Sequence, residues 1–253
     1  MIHIKNQKEI EVMKKGGHML AVALGEALAA VMPGVTEGEL DKITENSVRL
    51  QGGEPGFMKV PGYFHTICTA TNEVIVHGIP GSYALKKGDV ICIDAGVYYK
   101  GLHTDMADTV VAGGDMATTP EIRKFLEVGK KALWEGIEQA KAGNRVGHIS
   151  KIIQEIVEGS GYSVVKTLVG HGVGKELHEE PEVPGFLSKK IERTPELKEG
   201  MTIAVEVIYA MGGDTVVYAN DDGWTIKTAD DSLSAVFERS ILITNGDPIV
   251  LTQ

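Results

Sequence analysis

Between Ile10 and Val31 the larger apolar residues fall at Met13, Leu20, Leu24, Leu28 and Val31, a spacing that lines one face of a helix. Pro33-Gly34 stops that helix. Thr36 with Glu39 reads as a capping box that opens a second helix, running toward Gly52-Gly53. The pattern then changes to short apolar runs, VICIDAGVYY and TVVAGG, as expected of buried strands. Thr119-Pro120 starts a third helix with proline at its first position. It continues through Phe125, Val128, Leu133 and Ile137 until AGN ends it. HISKIIQEIVEGSG predicts a fourth helix with a glycine stop, and TIAVEVIYA and SILIT predict further strands.

The order helix, helix, strands therefore occurs twice. PGVTEGELDKI and AGNRVGHISKI place Gly34 with Gly143, Gly38 with Gly147, and Lys42-Ile43 with Lys151-Ile152. LKKGDVICID and LKEGMTIAVE align without a gap, matching Leu85 with Leu197, Gly88 with Gly200 and Asp94 with Glu206. Two such matches at nearly one offset predict a duplicated αα–β unit, with halves of roughly 1–115 and 116–253 in one domain spanning 1–253. Two copies make a two-lobed domain and no solenoid. A site is expected where the lobes face each other.

Composition narrows the function. The chain has 253 residues, 43% hydrophobic and 24% charged, and 35 acidic against 25 basic residues give a formal charge of −10. With no basic run to displace phosphate counterions, a nucleic-acid partner is not expected. MLAVALGEALAAVM follows a charged segment, carries Glu26 and is too short to cross a bilayer, so it reads as an amphipathic helix rather than a signal or membrane segment. Cys68 and Cys92 are the only cysteines. They do not make a disulfide framework, and a cytoplasmic location is expected.

The carboxylates carry the chemistry. Asp94 follows Val90-Ile91-Cys92-Ile93, where an isolated charge is costly, and Glu206 holds the same place after Ile203-Ala204-Val205. Taken singly, each reads as a core acid satisfied by an arginine or a backbone amide. As a matched pair with no lysine or arginine on either run, they call for another counter-charge. Asp105 follows Asp94 by eleven positions, as the return strand of a hairpin would place it, and Glu238 interrupts the apolar run SAVFERSILIT. Arg239 beside Glu238 leaves a surface ion pair open. His171 lies in VGHGVGKELHEEP, either as an accessible ligand or as a turn residue. If these five converge, each carboxylate pair at 4 Å repels by about 4 kcal/mol at an effective dielectric near 20. Two divalent cations would balance four such charges. Oxygen ligands with one imidazole suit manganese, iron(II) or cobalt(II), with zinc possible. Paired cations activate water and polarise a carbonyl without a serine or cysteine nucleophile. His77 in TNEVIVHGIP and His178 in the HEEP segment are plain loop histidines by themselves, and carbonyl donors beside such a centre.

As an ordered set, NEVIVHGIP, the Asp94/Asp105 pair, GHGVGKELHEEP and the two glutamates resemble the type I methionine aminopeptidases of the pita-bread metallopeptidase fold. The resemblance runs from IKNQKEIEVMKKGG to ERSILIT. It implies an α+β fold, two pseudo-symmetric αα–β halves with an antiparallel sheet and helices outside. It implies a binuclear site in which Asp94 binds one metal, His171 and Glu206 the other, and Asp105 and Glu238 bridge. It further implies His77 and His178 at the scissile carbonyl, Glu206 as proton shuttle, and a methionine pocket formed by Tyr63, Cys68, Leu177 and Trp224. The implied reaction is removal of N-terminal methionine from nascent chains with a small second residue, by a monomer in transient association with ribosomes. Three positions depart from the family pattern. Val207 replaces a proline, Arg239-Ser240 replaces His-Thr, and Val60 replaces a pocket tyrosine.

Enzymes that cut beside proline share these ligands but usually carry a separate N-terminal domain, for which the early start of the repeat leaves no expected room. A binding protein that had lost its metals would be expected to have a broken ligand set, and here all five positions are filled. A purely structural metal site would not need the two flanking histidines.

Overall fold

In the computed structural model, which describes residues 2–253, four helices cover one face of a curved antiparallel sheet. The helices are α1 (Gln7–Ala29), α2 (Glu37–Leu50), α3 (Pro120–Glu138) and α4 (Val146–Gly159). In the first half lie β1 (Glu54–Pro55), β2 (Ile67–Thr71), β3 (Val74–Val76), β4 (Val90–Tyr99) and β5 (Leu102–Val111). The second half adds β6 (Ser163–Val164), β7 (Gly170–Gly172), β8 (Glu179–Val183), β9 (Thr202–Ala210), β10 (Val216–Tyr218), β11 (Ile226–Thr228), β12 (Ser234–Leu242) and β13 (Ile249–Val250). The large sheet runs β1-β4-β5-β12-β9-β7-β8, with β2 on β4, β6 on β9 and β13 on β12; β10-β11-β3 form a small second sheet.

Capping chemistry sets the helix starts. The Thr36–Glu39 box is present, and Thr119 caps α3 ahead of Pro120. Helix α1 begins at Gln7, a turn earlier than its apolar spacing indicates, because Asn6 and Glu9 form a second capping box. Helix α4 also starts earlier, at Val146. There Thr194, remote in sequence, accepts the Gly147 N–H through Oγ1 at 3.0 Å.

The duplication is written in the hydrogen bonds. Gly34 N–H donates to Leu85 O and Gly143 N–H to Leu197 O; Leu85 N–H donates to Val35 O and Leu197 N–H to Asn144 O. The turns into β4 and β9 use Gly88 and Gly200, both at positive φ (94° and 84°), where a side chain would be strained.

Strand alternation then separates two tasks. Ile91, Ile93, Ala95 and Val97 of β4 pack against Leu20 and Leu24 of α1 and Leu40 and Val48 of α2. Ile203, Val205 and Val207 of β9 pack against Phe125 and Leu133 of α3 and Ile149 and Ile153 of α4. Val207, at the departure from proline, is thus a fully buried wall of the helix-side core. The residues between them face away from the helices.

Candidate metal centre

Register brings the acids into a row. Asp94 on β4 stands opposite Ala107 on β5, Ala107 opposite Glu238 on β12, and Glu238 opposite Glu206 on β9. Asp105 lies two residues from Ala107, and His171 on β7 stands opposite Ala204, two residues from Glu206. With a side-chain period of two, all five project from one face of the sheet. Small partners leave them room, since Ala107 sits between two acids and Asp105 faces Gly96. Glycines flank His171 for a steric reason. A Cβ at Gly170 would meet Ala204 O at 2.6 Å, and one at Gly172 would meet Glu180 O at 2.2 Å.

Ligand atoms of Asp94, Asp105 and Glu238 lie within 4.8 Å of one another, as do those of His171, Glu206 and Glu238, and those of Asp105, His171 and His178. Nδ1–H of His171 donates to Gly172 O at 2.9 Å, so the Nε2 lone pair faces Asp105 Oδ2 at 3.7 Å and Glu238 Oε1 at 3.8 Å. A lone pair among acceptor oxygens is repulsive unless a proton or a metal cation lies between them. Asp94 Oδ1 and Glu238 Oε1 are buried with no hydrogen-bond partner. Arg239 does not serve them. It donates to Asp108 Oδ2 at 2.7 Å on the other face of β12, which removes the surface ion pair considered for Glu238. No lysine or arginine lines the cavity.

Without a cation the row cannot stay fully ionised. Burial pushes the Asp94 carboxyl up to about 7, and burial with the neighbouring Asp94 pushes Glu206 up to about 8. Burial and then mutual repulsion raise Asp105 and Glu238 well above the carboxylate range. Burial drives His171 the other way, down to about 3, so its imidazole is neutral and available as a ligand. Orphaned oxygens, a neutral imidazole aimed at them and four crowded carboxylates fit divalent cations.

Beside the row lies a cavity of about 340 Å³. Tyr63, Cys68, Leu177 and Trp224, expected there, all line it, joined by His77 and His178. The Tyr63 ring meets Trp224 edge-on at 5.2 Å, and its hydroxyl donates to Ile67 O at 2.7 Å. Asp222 accepts the Trp224 and Thr225 N–H groups at 2.7 and 2.8 Å, fixing the turn that presents the indole. Cys68 stands opposite Asp94 on β2, and burial holds its thiol protonated. His77 has a left-handed backbone (φ 57°), and the next residue must be glycine, because a Cβ at Gly78 would meet Thr69 O at 2.0 Å. The His178 ring packs edge-on to His171 at 4.4 Å. Burial lowers the affinity of His77 and His178 for a second proton, leaving one N–H on each.

Sequence reasoning missed other walls. Cys92 and Ile208 lie two residues from Asp94 and Glu206 on the same face, a position that strand alternation alone could have shown. Phe57, in a single 3₁₀ turn over Phe57–Lys59, and Leu168, in a loop, lie in segments too short to give a periodic signal.

Residues 11–245 match the profile of metallopeptidase family M24. The chain belongs to that family. It is 40% identical over 252 residues to the methionine aminopeptidase of Clostridium perfringens, covering 100% of this chain and 99% of that one. The crystal structure of methionine aminopeptidase from Thermotoga maritima superposes with a TM-score of 0.95 at 37% identity, with full coverage of both chains. Prolidase from Pyrococcus furiosus shares the pita-bread fold at a TM-score of 0.78 and 25% identity, but this chain covers only 65% of it. Membership of M24 implies use of divalent metal, in agreement with the donor set. Among the described residues, no helix is long and apolar enough to cross a membrane.

Proposed function

We propose that the protein is a binuclear metal-dependent methionyl aminopeptidase that removes N-terminal methionine from nascent chains and peptides, preferring a small second residue. The observation that carries this reading is the shared cavity. One wall is the row Asp94–Asp105–His171–Glu206–Glu238, and another is the apolar surface of Tyr63, Cys68, Leu177 and Trp224. A thioether is soft and polarisable, and aromatic rings with a neutral thiol suit it.

Asp94 would hold one cation and His171 and Glu206 the other, with Asp105 and Glu238 shared. Bound there, divalent cations supply Lewis acidity toward the scissile carbonyl and a water of lowered pKa. The chain's own groups do the rest. His77 and His178, each neutral, donate N–H to the carbonyl oxygen as negative charge develops on it. Glu206 accepts the proton of the attacking water and passes it to the departing amine. Manganese, iron(II) and cobalt(II) suit these donors, and zinc is compatible. Residues 1–253 act as one catalytic unit in the cytosol, as a monomer that meets its substrate near the ribosome.

Chelator-stripped protein, given manganese, iron(II) or cobalt(II) separately, is assayed on Met-Ala-Ser, Met-Leu-Ser, Leu-Ala-Ser and Gly-Pro-Ala. Metal-dependent release of methionine, fastest from Met-Ala-Ser, is expected. Cleavage of Gly-Pro-Ala alone would move the protein to proline-directed chemistry. No hydrolysis by folded, metal-loaded protein would end the proposal.

A further inference from the structure

An ion pair outside the carboxylate row shapes the loop that carries His178. Lys5 lies in the extended segment before α1, and its Nζ donates to Glu179 Oε2 at 2.8 Å. The two side chains are only 1% and 13% exposed. Nζ also reaches His3 O at 3.4 Å, and the Lys5 backbone N–H donates to Gly200 O at 2.8 Å, which fixes the segment to the turn before β9. The second oxygen of Glu179 accepts the Glu176 N–H at 3.1 Å.

The loop is fitted to the lysine stem. A Cβ at Gly174 would lie 2.4 Å from Lys5 Cε and 2.6 Å from its Nζ. Gly174 N–H donates to Glu176 O at 3.0 Å, and Gly174 O accepts the His103 N–H at 2.6 Å. These contacts tie down both ends of residues 174–179, where Leu177 and His178 line the cavity. A buried ion pair is a poor source of net stability, because desolvation offsets most of its attraction. Its geometric effect is specific, since both oxygens of Glu179 are used, one on the N-terminal segment and one on the loop.

We propose that Lys5 is a positioning residue for His178 and Leu177, acting through Glu179 to hold the loop against the site. The catalytic part rests on the reading of His178 given above. A small displacement of a group that must meet a reacting atom is enough to slow turnover severely.

The test is Lys5→Met in the full metal-loaded chain, alone and combined with His178→Ala, with Glu179→Gln as a milder variant that keeps the side chain's shape and one of its two acceptor oxygens. Two quantities are read. Amide exchange of residues 174–179 should accelerate by about tenfold in Lys5→Met and less in Glu179→Gln, with β4 and β9 unchanged. Turnover of Met-Ala-Ser should fall by roughly tenfold in the otherwise wild-type chain and by less than about twofold in the His178→Ala background, because the two changes remove one function. Wild-type exchange in that loop would overturn the proposal, as would losses that multiply across the two backgrounds. Failure of the His178 reading is seen separately, as wild-type turnover in His178→Ala alone, and the exchange arm still decides whether Lys5 holds the loop.

Discussion

Thr109 on β5 and Ser240 on β12 do the same thing at mirrored places, whereas the residues beside them do not. The backbone ladder between these strands is short, pairing only Ala107 with Glu238 and Met106 with Arg239. On one side of it Thr109 Oγ1 donates to Val236 O at 2.7 Å and accepts Val236 N–H at 3.0 Å. On the other, Ser240 Oγ donates to Asp105 O at 2.9 Å and accepts Asp105 N–H at 2.8 Å. The seam between the halves is thus closed by two symmetric hydroxyls. Its acids are asymmetric, since Asp105 stands where β12 has Val236, and Glu238 where β5 has Ala107. Asp94 and Glu206, farther out, keep equivalent places. Duplicated backbone tolerates divergence wherever hydrogen bonding is unaffected, and the acids depart from symmetry at just those positions.

The helices show the same division. Asp41 of α2 accepts Thr66 and Ile67 N–H at 2.7 and 3.1 Å, anchoring the loop between Tyr63 and Cys68. Its counterpart on α4 is Ser150, whose hydroxyl donates only to Val146 O within its own helix. The first half therefore anchors the loop between Tyr63 and Cys68 from its second helix, and the corresponding position of the second half has no matching device.

Breaking the asymmetric acids should have the largest effect. Asp105→Asn is expected to abolish turnover and reduce bound metal, beyond the roughly 10–100-fold that loss of an outer partner costs; near-normal kcat with full metal content would contradict its shared role. His178→Ala should lower kcat by roughly 10²–10³-fold while metal content, measured by elemental analysis, is retained. Next comes the helix pair. Asp41→Ala strands two buried N–H groups, each costing about 1–3 kcal/mol, and should raise KM for methionyl peptides. Ser150→Ala should cost less than about 1 kcal/mol and leave KM unchanged. Equal effects would remove the contrast between α2 and α4. The finest test is the seam. Ser240→Ala and Thr109→Ala should destabilise similarly in urea titrations, by about 1–3 kcal/mol. Only Ser240→Ala, which frees the backbone of Asp105, should also lower kcat, with Ser240→Thr restoring it.

The row of acids was legible because two independent regularities overlap there, the period of a strand and the matching of LKKGDVICID with LKEGMTIAVE. His171 was legible from its flanking glycines, whose close contacts the structure explains. What stayed hidden acts across long sequence distances with no period. Asp41 meets a loop on the far side of α2, Lys5 reaches Glu179 across most of the chain, and Thr194 caps a helix that precedes it. The ion pair that Arg239 left open for Glu238 falls away for a related reason. Adjacency in sequence put Arg239 beside Glu238, while strand alternation sends the two side chains to opposite faces.

The central claim is that four carboxylates crowd together because divalent cations bind among them, and its most direct test is thermal stability against pH with and without metal. Burial raises the proton affinity of these acids in the folded chain, to about 7 for Asp94 and about 8 for Glu206. Folded protein stripped of metal therefore holds protons that the unfolded chain releases, and its stability should fall as pH rises from the ordinary carboxylate range, near 4, through 7 and 8. Cations replace those protons, so the gain in Tm on adding manganese should widen steadily between pH 5 and pH 8.5 and saturate at two equivalents. A Tm gain that is absent, or that does not grow with pH, would contradict the account.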